Sequence, residues 1–494
     1  MRNSLNELLN SLKQIKAIES SLALMSWDRE VKMPTAGAES RAEDLGRLSA
    51  FQHEKFTDPD LENQIQELLI HDLKDRTRKN LEILLDDIQK EKKLPVQFVE
   101  EFSKTISLGQ GKWVEARKQN DFSIFEEALE KIIRLNRQKA DYLGFDKHPY
   151  NALLNEFDKG SNIDSIDPIF KTLRNECISL LKSIETKNAP NTDILDQVYN
   201  EDAQYKLSIE LCSILGLEGN QFILDRSEHP FTSRIAAKDL RLTTRINKHD
   251  IKESIWSTIH EAGHGLYELN LNQEEAYLPS GEASSLSVHE SQSRFYENLI
   301  GKSKTFVNAI WIRLKDYFPN ELKNAKADNF FKAINKVEPG LIRTSADELT
   351  YMLHIIIRYE IEKEMLSSEL KVKELPDLWN AKYEEYLGLK VPDVKKGILQ
   401  DIHWSHGAVG YFPTYALGSL LSSQLYNAMD KSINMQDRIE NLDFSEINLW
   451  LFNNIYQHGR LLTTDEICRG ATGSKLNSNA FISYMETKIN EVYD

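Results

Sequence analysis

His260, Glu261 and His264 stand in the order His-Glu-Ala-Gly-His, directly after a run that begins at Ile251. Ile251, Ile255 and Ile259 recur every four residues, and that spacing predicts a helix. On a helix His260 and His264 project from one face about one turn apart, close enough to share a cation. Two neutral imidazoles suit zinc, and Glu261 is offset so that it can take a proton from a water the metal activates. The chemistry expected is metal-assisted hydrolysis, with the metal polarising a carbonyl and Glu261 acting as general base. A solvated helix carrying two unrelated histidines would present the same string. The apolar residues around this polar face favour the metal reading.

A catalytic zinc takes three protein ligands and keeps one position open. No histidine follows at the spacing of the longer His-x-x-Gly-x-x-His form, so a carboxylate is expected as the third ligand. Glu282, Glu290 and Glu297 are the candidates. The run from Leu286 to Tyr296 looks helical, and Glu290 lies in its first half.

These groups need a rigid frame, and the frame reads as helical. Leu5, Leu8, Leu9, Leu12 and Ile15 recur at helical spacing, as do Leu81, Leu84, Leu85 and Ile88. Glu126 to Leu135 and Leu207 to Leu215 repeat the pattern, and such stripes are core faces. One stretch departs from it: within Ser233 to Ile246, the alternating, β-branched residues Arg241 to Ile246 predict a strand. The fold expected is all-α (mainly helical) with a small β-sheet beside the motif helix. No repeat or linker divides the 494 residues, so 1–494 reads as a single domain.

Composition narrows the function classes. A formal charge of −16 disfavours nucleic acid and anionic membrane surfaces as partners. Cys177, Cys212 and Cys468 are odd in number and far apart, which suits a reducing compartment and three buried thiols rather than a nucleophile. Residues 1–15 lack the apolar core of a signal peptide, and runs such as Ile355 to Ile357 fall short of a membrane span, so a cytoplasmic location is expected.

Further motifs extend the picture. The N-terminal part carries Ser26-Trp27-Asp28-Arg29-Glu30, Met33-Pro34 and Glu39-Ser40-Arg41-Ala42. Six signatures follow in order: His229-Pro230-Phe231, Asp239-Leu240-Arg241-Leu242-Thr243, the His260–His264 motif, His289-Glu290-Ser291, Ile342-Arg343-Thr344-Ser345-Ala346-Asp347, and Gly397-Ile398-Leu399-Gln400-Asp401-Ile402-His403-Trp404. With these in register, the chain resembles the carboxypeptidase Taq family of metallocarboxypeptidases nearly end to end. The resemblance implies a two-lobed helical fold of the neurolysin and angiotensin-converting-enzyme type, with the metal site in a deep central groove between the lobes. It also implies removal of single C-terminal residues with broad preference and poor release of proline, a zinc or cobalt ion, and a homodimer. By motif position it makes Glu290 the third metal ligand.

An enzyme acting at a C-terminus must hold a carboxylate, and a guanidinium does so with two parallel bonds. Arg343, Arg241 or both could serve. The resemblance favours Arg343 for the terminal carboxylate and sets Arg241 among the substrate contacts. An oxyanion needs a donor besides the metal. His403 to Tyr415 offers two histidines and two tyrosines, and related peptidases use one of each here: His403 with Tyr411, or with Tyr415. His229 and Gln400 are expected to line the groove. An endo-oligopeptidase with the same metal chemistry, or a non-catalytic helical binding protein, are the rival readings. The intact Glu261 speaks against the second.

Overall fold

The computed structural model describes residues 2–367 and 370–494. Helices carry most of these residues, as the leucine and isoleucine stripes predict. Leu8, Leu12 and Ile15 of helix Arg2–Val31 pack against Leu61, Ile65, Leu81, Leu84 and Ile88 in a small N-terminal core. Arg41 ties the next helix, Ala38–Phe56, back to the first through Met25 O and Asp28 Oδ2, both at 2.8 Å. That contact accounts physically for part of the N-terminal signature.

Two larger cores fill the rest. One surrounds the motif helix Ile251–Asn270 and includes Ile255, Ile259, Leu266, Phe295, Phe306 and Leu421. The other surrounds helix Glu348–Leu366 and includes Phe170, Ile355, Ile356, Trp379 and Leu417. Helix Pro413–Asp430 serves both cores, giving Leu417 and Leu420 to one and Leu421 and Leu425 to the other.

The expected strand is present, shifted and accompanied. Three strands, β1 (Phe222–Arg226), β2 (Thr232–Ala236) and β3 (Asp239–Thr244), form a sheet in the order β1-β3-β2. β1 runs parallel to β3, and β2 runs antiparallel to it. The strand therefore ends at Thr244, and Arg245 and Ile246 lie beyond it. Leu240 and Leu242 of β3 turn toward the motif helix and pack on Gly265, while Arg241 turns the other way onto Trp27.

Small residues set how closely the site helices approach. The motif helix starts at Asp250, whose side chain accepts from Lys252 N–H at 2.9 Å. Helix Leu286–Arg294 starts at Ser285, whose hydroxyl accepts from Val288 N–H. It is held between the motif helix and helix Pro413–Asp430. A Cβ on Gly263 would lie 2.7 Å from Gln292 O, and one on Gly418 would lie 2.8 Å from Glu290 Cβ. A side chain at either position would press on the helix that carries Glu290.

Candidate metal centre and active site

His260, His264 and Glu290 each offer a ligand atom, and these atoms lie within 4.8 Å of one another. Glu290 Oε2 stands 3.8 Å from His260 Nε2 and 3.6 Å from His264 Nε2. Donors about 2.0–2.1 Å from a tetrahedral zinc lie roughly 3.4 Å apart, so the spacing fits one ion with a position left open. The donor set, two imidazoles and a carboxylate, also fits. Imidazole and carboxylate together suit a divalent transition-metal ion.

A second layer orients these groups. His260 Nδ1 meets Glu297 Oε2 at 2.8 Å, which turns Nε2 toward Glu290. Glu297 sits in a π-helical turn, Phe295–Gly301, that continues the Glu290 helix. Lys302 Nζ at 2.6 Å and Arg294 Nη1 at 3.1 Å also bond Glu297. Although burial opposes ionisation of Glu297, these cations hold its carboxyl well below the usual range. Arg294 Nε donates to Glu290 Oε1 at 2.7 Å, leaving Oε2 to face the imidazoles. His264 is stacked on His289, with ring centres 4.2 Å apart, and His289 Nε2 lies 3.0 Å from Glu268 Oε1.

Glu261 is buried, and its Oε2 accepts from the Thr232 hydroxyl of β2 at 2.6 Å. That bond leaves Oε1 free. The sheet thus holds the general base proposed from the motif.

The remaining predicted residues divide into two groups. His403, Tyr411 and Tyr415 come together: His403 Nε2 lies 3.3 Å from Tyr415 Oη, and the tyrosine rings are 5.3 Å apart. Tyr411 lies in the turn before helix Pro413–Asp430, and Tyr415 in that helix's first turn. Burial pushes His403 down to about 3, so its imidazole is neutral. Arg343 joins this cluster, its guanidinium carbon 5.3 Å from the Tyr415 ring centre and 5.9 Å from that of Tyr351. The Tyr351 ring also carries Arg294, at 4.7 Å. One aromatic ring therefore bridges the metal-side arginine and the predicted carboxylate clamp.

Arg343 has a partner the sequence did not suggest. Its Nε and Nη2 both bond Asp401 Oδ1 at 2.9 Å, while Nη1 donates to Tyr351 Oη at 3.2 Å. Arg358, fully buried, donates from Nε to Asp401 Oδ2 at 2.7 Å. Two guanidinium groups thus share one carboxylate, and the trio keeps one positive charge. Gln400 braces this arrangement. Its Oε1 accepts from Arg343 N–H at 2.9 Å and its Nε2 donates to Leu341 O at 3.0 Å, so the amide is occupied by the protein's own groups.

Three predicted residues lie apart from the cluster. Arg241 is paired with Asp239 at 2.6 Å and stacked over Trp27 of the first helix. His229 is exposed between β1 and β2. Glu282 does not join His260, His264 and Glu290: it bonds Lys16 and Arg460. Thr232 carries no signal in the sequence. Arg294 does, because it follows Glu290 by four residues on one helix.

A buried helix pair presenting two imidazoles and a carboxylate, with a free carboxylate oxygen alongside, is the equipment of a metal-dependent hydrolase. The family model of the carboxypeptidase Taq (M32) metallopeptidases matches residues 7–489. Carboxypeptidase 1 of Bacillus subtilis is 36% identical over 491 residues, covering 99% of this chain and 98% of that protein. Thermostable carboxypeptidase 1 of Pyrococcus furiosus is 35% identical, with 98% of each chain covered. The crystal structure of the M32 carboxypeptidase from Deinococcus radiodurans superposes with a TM-score of 0.98 at 34% identity, covering 99% of both chains. The fold and the comparisons define a metallopeptidase, a peptide hydrolase. This chain belongs to the carboxypeptidase Taq (M32) family.

Proposed function

We propose that this protein removes single residues from the C-terminus of peptides, with zinc, or alternatively cobalt, held by His260, His264 and Glu290. The observation that carries the reading is the convergence of those three side chains beside the Thr232-held carboxylate of Glu261. The bound metal supplies Lewis acidity, polarising the scissile carbonyl and acidifying a water. Glu261 takes the water's proton on Oε1 and passes it to the departing amine. His403, neutral, and the hydroxyls of Tyr411 and Tyr415 donate toward the developing oxyanion. The uncompensated positive charge of Arg343, Arg358 and Asp401 supports capture of a terminal carboxylate by Arg343.

On this reading the site lies in a groove between two helical lobes of one domain, one lobe built on each large core. His229, Gln400 and Arg241 belong to its walls: Gln400 as a brace for Arg343, and Arg241 and His229 farther out along the sheet. Broad side-chain preference, slow release of proline and a homodimeric state complete the proposal, on the strength of the family resemblance. No helix among the described residues is long and apolar enough to cross a membrane, and the three buried free cysteines are compatible with a cytoplasmic setting.

Mass spectrometry of an N-terminally blocked peptide, incubated with and without a chelator, tests the proposal. A ladder losing one C-terminal residue at a time, abolished by chelation and restored by zinc or cobalt, is the expected result. Internal fragments would make it an endo-oligopeptidase instead. No cleavage by demonstrably metal-loaded protein would overturn it.

A further inference from the structure

Helix Glu348–Leu366 carries His354, Arg358 and Glu362 four residues apart, on one buried face. Arg358 holds Asp401, as described. Glu362, one turn further on, accepts three bonds: from Trp404 Nε1–H at 2.9 Å on Oε1, and from Tyr150 Oη–H at 2.6 Å and Gly410 N–H at 3.0 Å on Oε2. Asp401 and Trp404 flank His403, and Gly410 immediately precedes Tyr411. Both ends of the segment that carries His403 and Tyr411 are therefore fastened to a single helix.

Burying a carboxylate is costly, and here three donors offset that cost. What the carboxylate provides is direction. Its two oxygens fix the indole of Trp404 and the amide of Gly410 relative to each other, and hydrogen bonds in a dry interior are stiff. We propose that Glu362 is a positioning residue for hydrolysis: it sets the separation of His403 and Tyr411, and so the aim of the donors that meet the oxyanion. The inference rests on the roles proposed above for those two residues.

The test uses the metal-loaded full chain. In Glu362→Gln the side chain keeps its shape, but its NH2 must face either the Trp404 N–H or the Gly410 N–H. The expected result is a fall in kcat of about 10- to 100-fold for a blocked peptide, with KM within about threefold and metal content unchanged. Amide hydrogen exchange should quicken across 401–411 and stay unchanged across 251–270. Adding Trp404→Phe removes one opposed donor, lets the glutamine oxygen return to Tyr150 and Gly410, and should recover most of the lost kcat. Should the glutamine protein fail to fold, Trp404→Phe alone should quicken exchange across 401–411 to a smaller degree. Unchanged kcat and exchange in either variant, or loosening spread equally over both segments with loss of metal, would overturn the inference. If the wild-type protein itself does not cleave peptide, the proposed function fails and the positioning role with it, while the exchange comparison still decides whether Glu362 fastens residues 401–411.

Discussion

His260 Nδ1 and Glu297 Oε2 stand 2.8 Å apart, behind the face that His260 turns toward Glu290. Glu297 is thus placed to fix the imidazole's tautomer and raise its basicity without joining the ligand set. Glu297→Gln should weaken zinc binding by about 10- to 100-fold while the metal-saturated protein keeps most of its turnover. Competition against a chromophoric chelator measures this, and an unchanged affinity would leave Glu297 with a packing role only.

Gly263 is where the motif helix touches helix Leu286–Arg294. A methyl group there would press on Gln292 O and on Ser293 Cα, 2.7 and 2.8 Å away. Gly263→Ala should cost about 1–3 kcal/mol of stability and weaken metal binding with it, because Glu290 rides on the displaced helix. Thermal unfolding with and without zinc checks both. A variant with unaltered Tm and affinity would show that the helices separate freely.

Arg343→Ala should lower kcat/KM about 10- to 100-fold for peptides with a free C-terminal carboxylate, and much less for their amidated counterparts. Equal losses on the two substrates would remove Arg343 as the carboxylate clamp.

Asp401 predicts a pH dependence. Burial alone would raise its pKa, but Arg358 and Arg343 more than offset that and depress it below the ordinary aspartate value. Its contribution to stability is therefore fully present above about pH 4 and is lost as pH falls through the lower folded value. Asp401→Asn leaves two buried guanidinium groups without their anion and should cost about 3–5 kcal/mol at neutral pH. The gap between variant and wild type should narrow in acid. Urea unfolding at both pH values measures it, and a gap independent of pH would contradict the ion-pair account.

The sequence made some of this legible and concealed the rest, for identifiable reasons. Helical stripes were readable because burial imposes a fixed period: Leu8, Leu12, Ile15, Leu81, Leu84 and Ile88 are all buried as their spacing predicted. The motif helix was readable because both imidazoles come from one turn of it. The helical run around Glu290 put it forward, and the motif it shares with a family raised it further above Glu282 and Glu297, since little that is local marks which carboxylate faces inward. Here the decisive features are three-dimensional. Gly418 lets another helix close on Glu290, and a π-helical turn swings Glu297 behind His260. β1 and β2 were missed because five-residue strands carry little periodicity, and β3 was placed two residues too late because Arg245 and Ile246 continue its alternation. The pairing of Arg343 with Asp401 spans 58 positions, and only the folded chain reveals that Asp401 also answers Arg358.

The most direct test of the central claim is the behaviour of Glu261→Gln. Glu261 touches Thr232 rather than the three ligands' shared centre, so the variant should bind one equivalent of zinc much as the wild type does. Its kcat on a blocked peptide should nevertheless fall by about 10²- to 10⁴-fold, because the proton acceptor is gone while the metal remains. Metal content by elemental analysis and single-turnover cleavage, measured on the same preparation, give both quantities. Near-normal turnover in the metal-loaded variant would contradict the assignment of Glu261 as the base, and with it the hydrolytic mechanism proposed for this site.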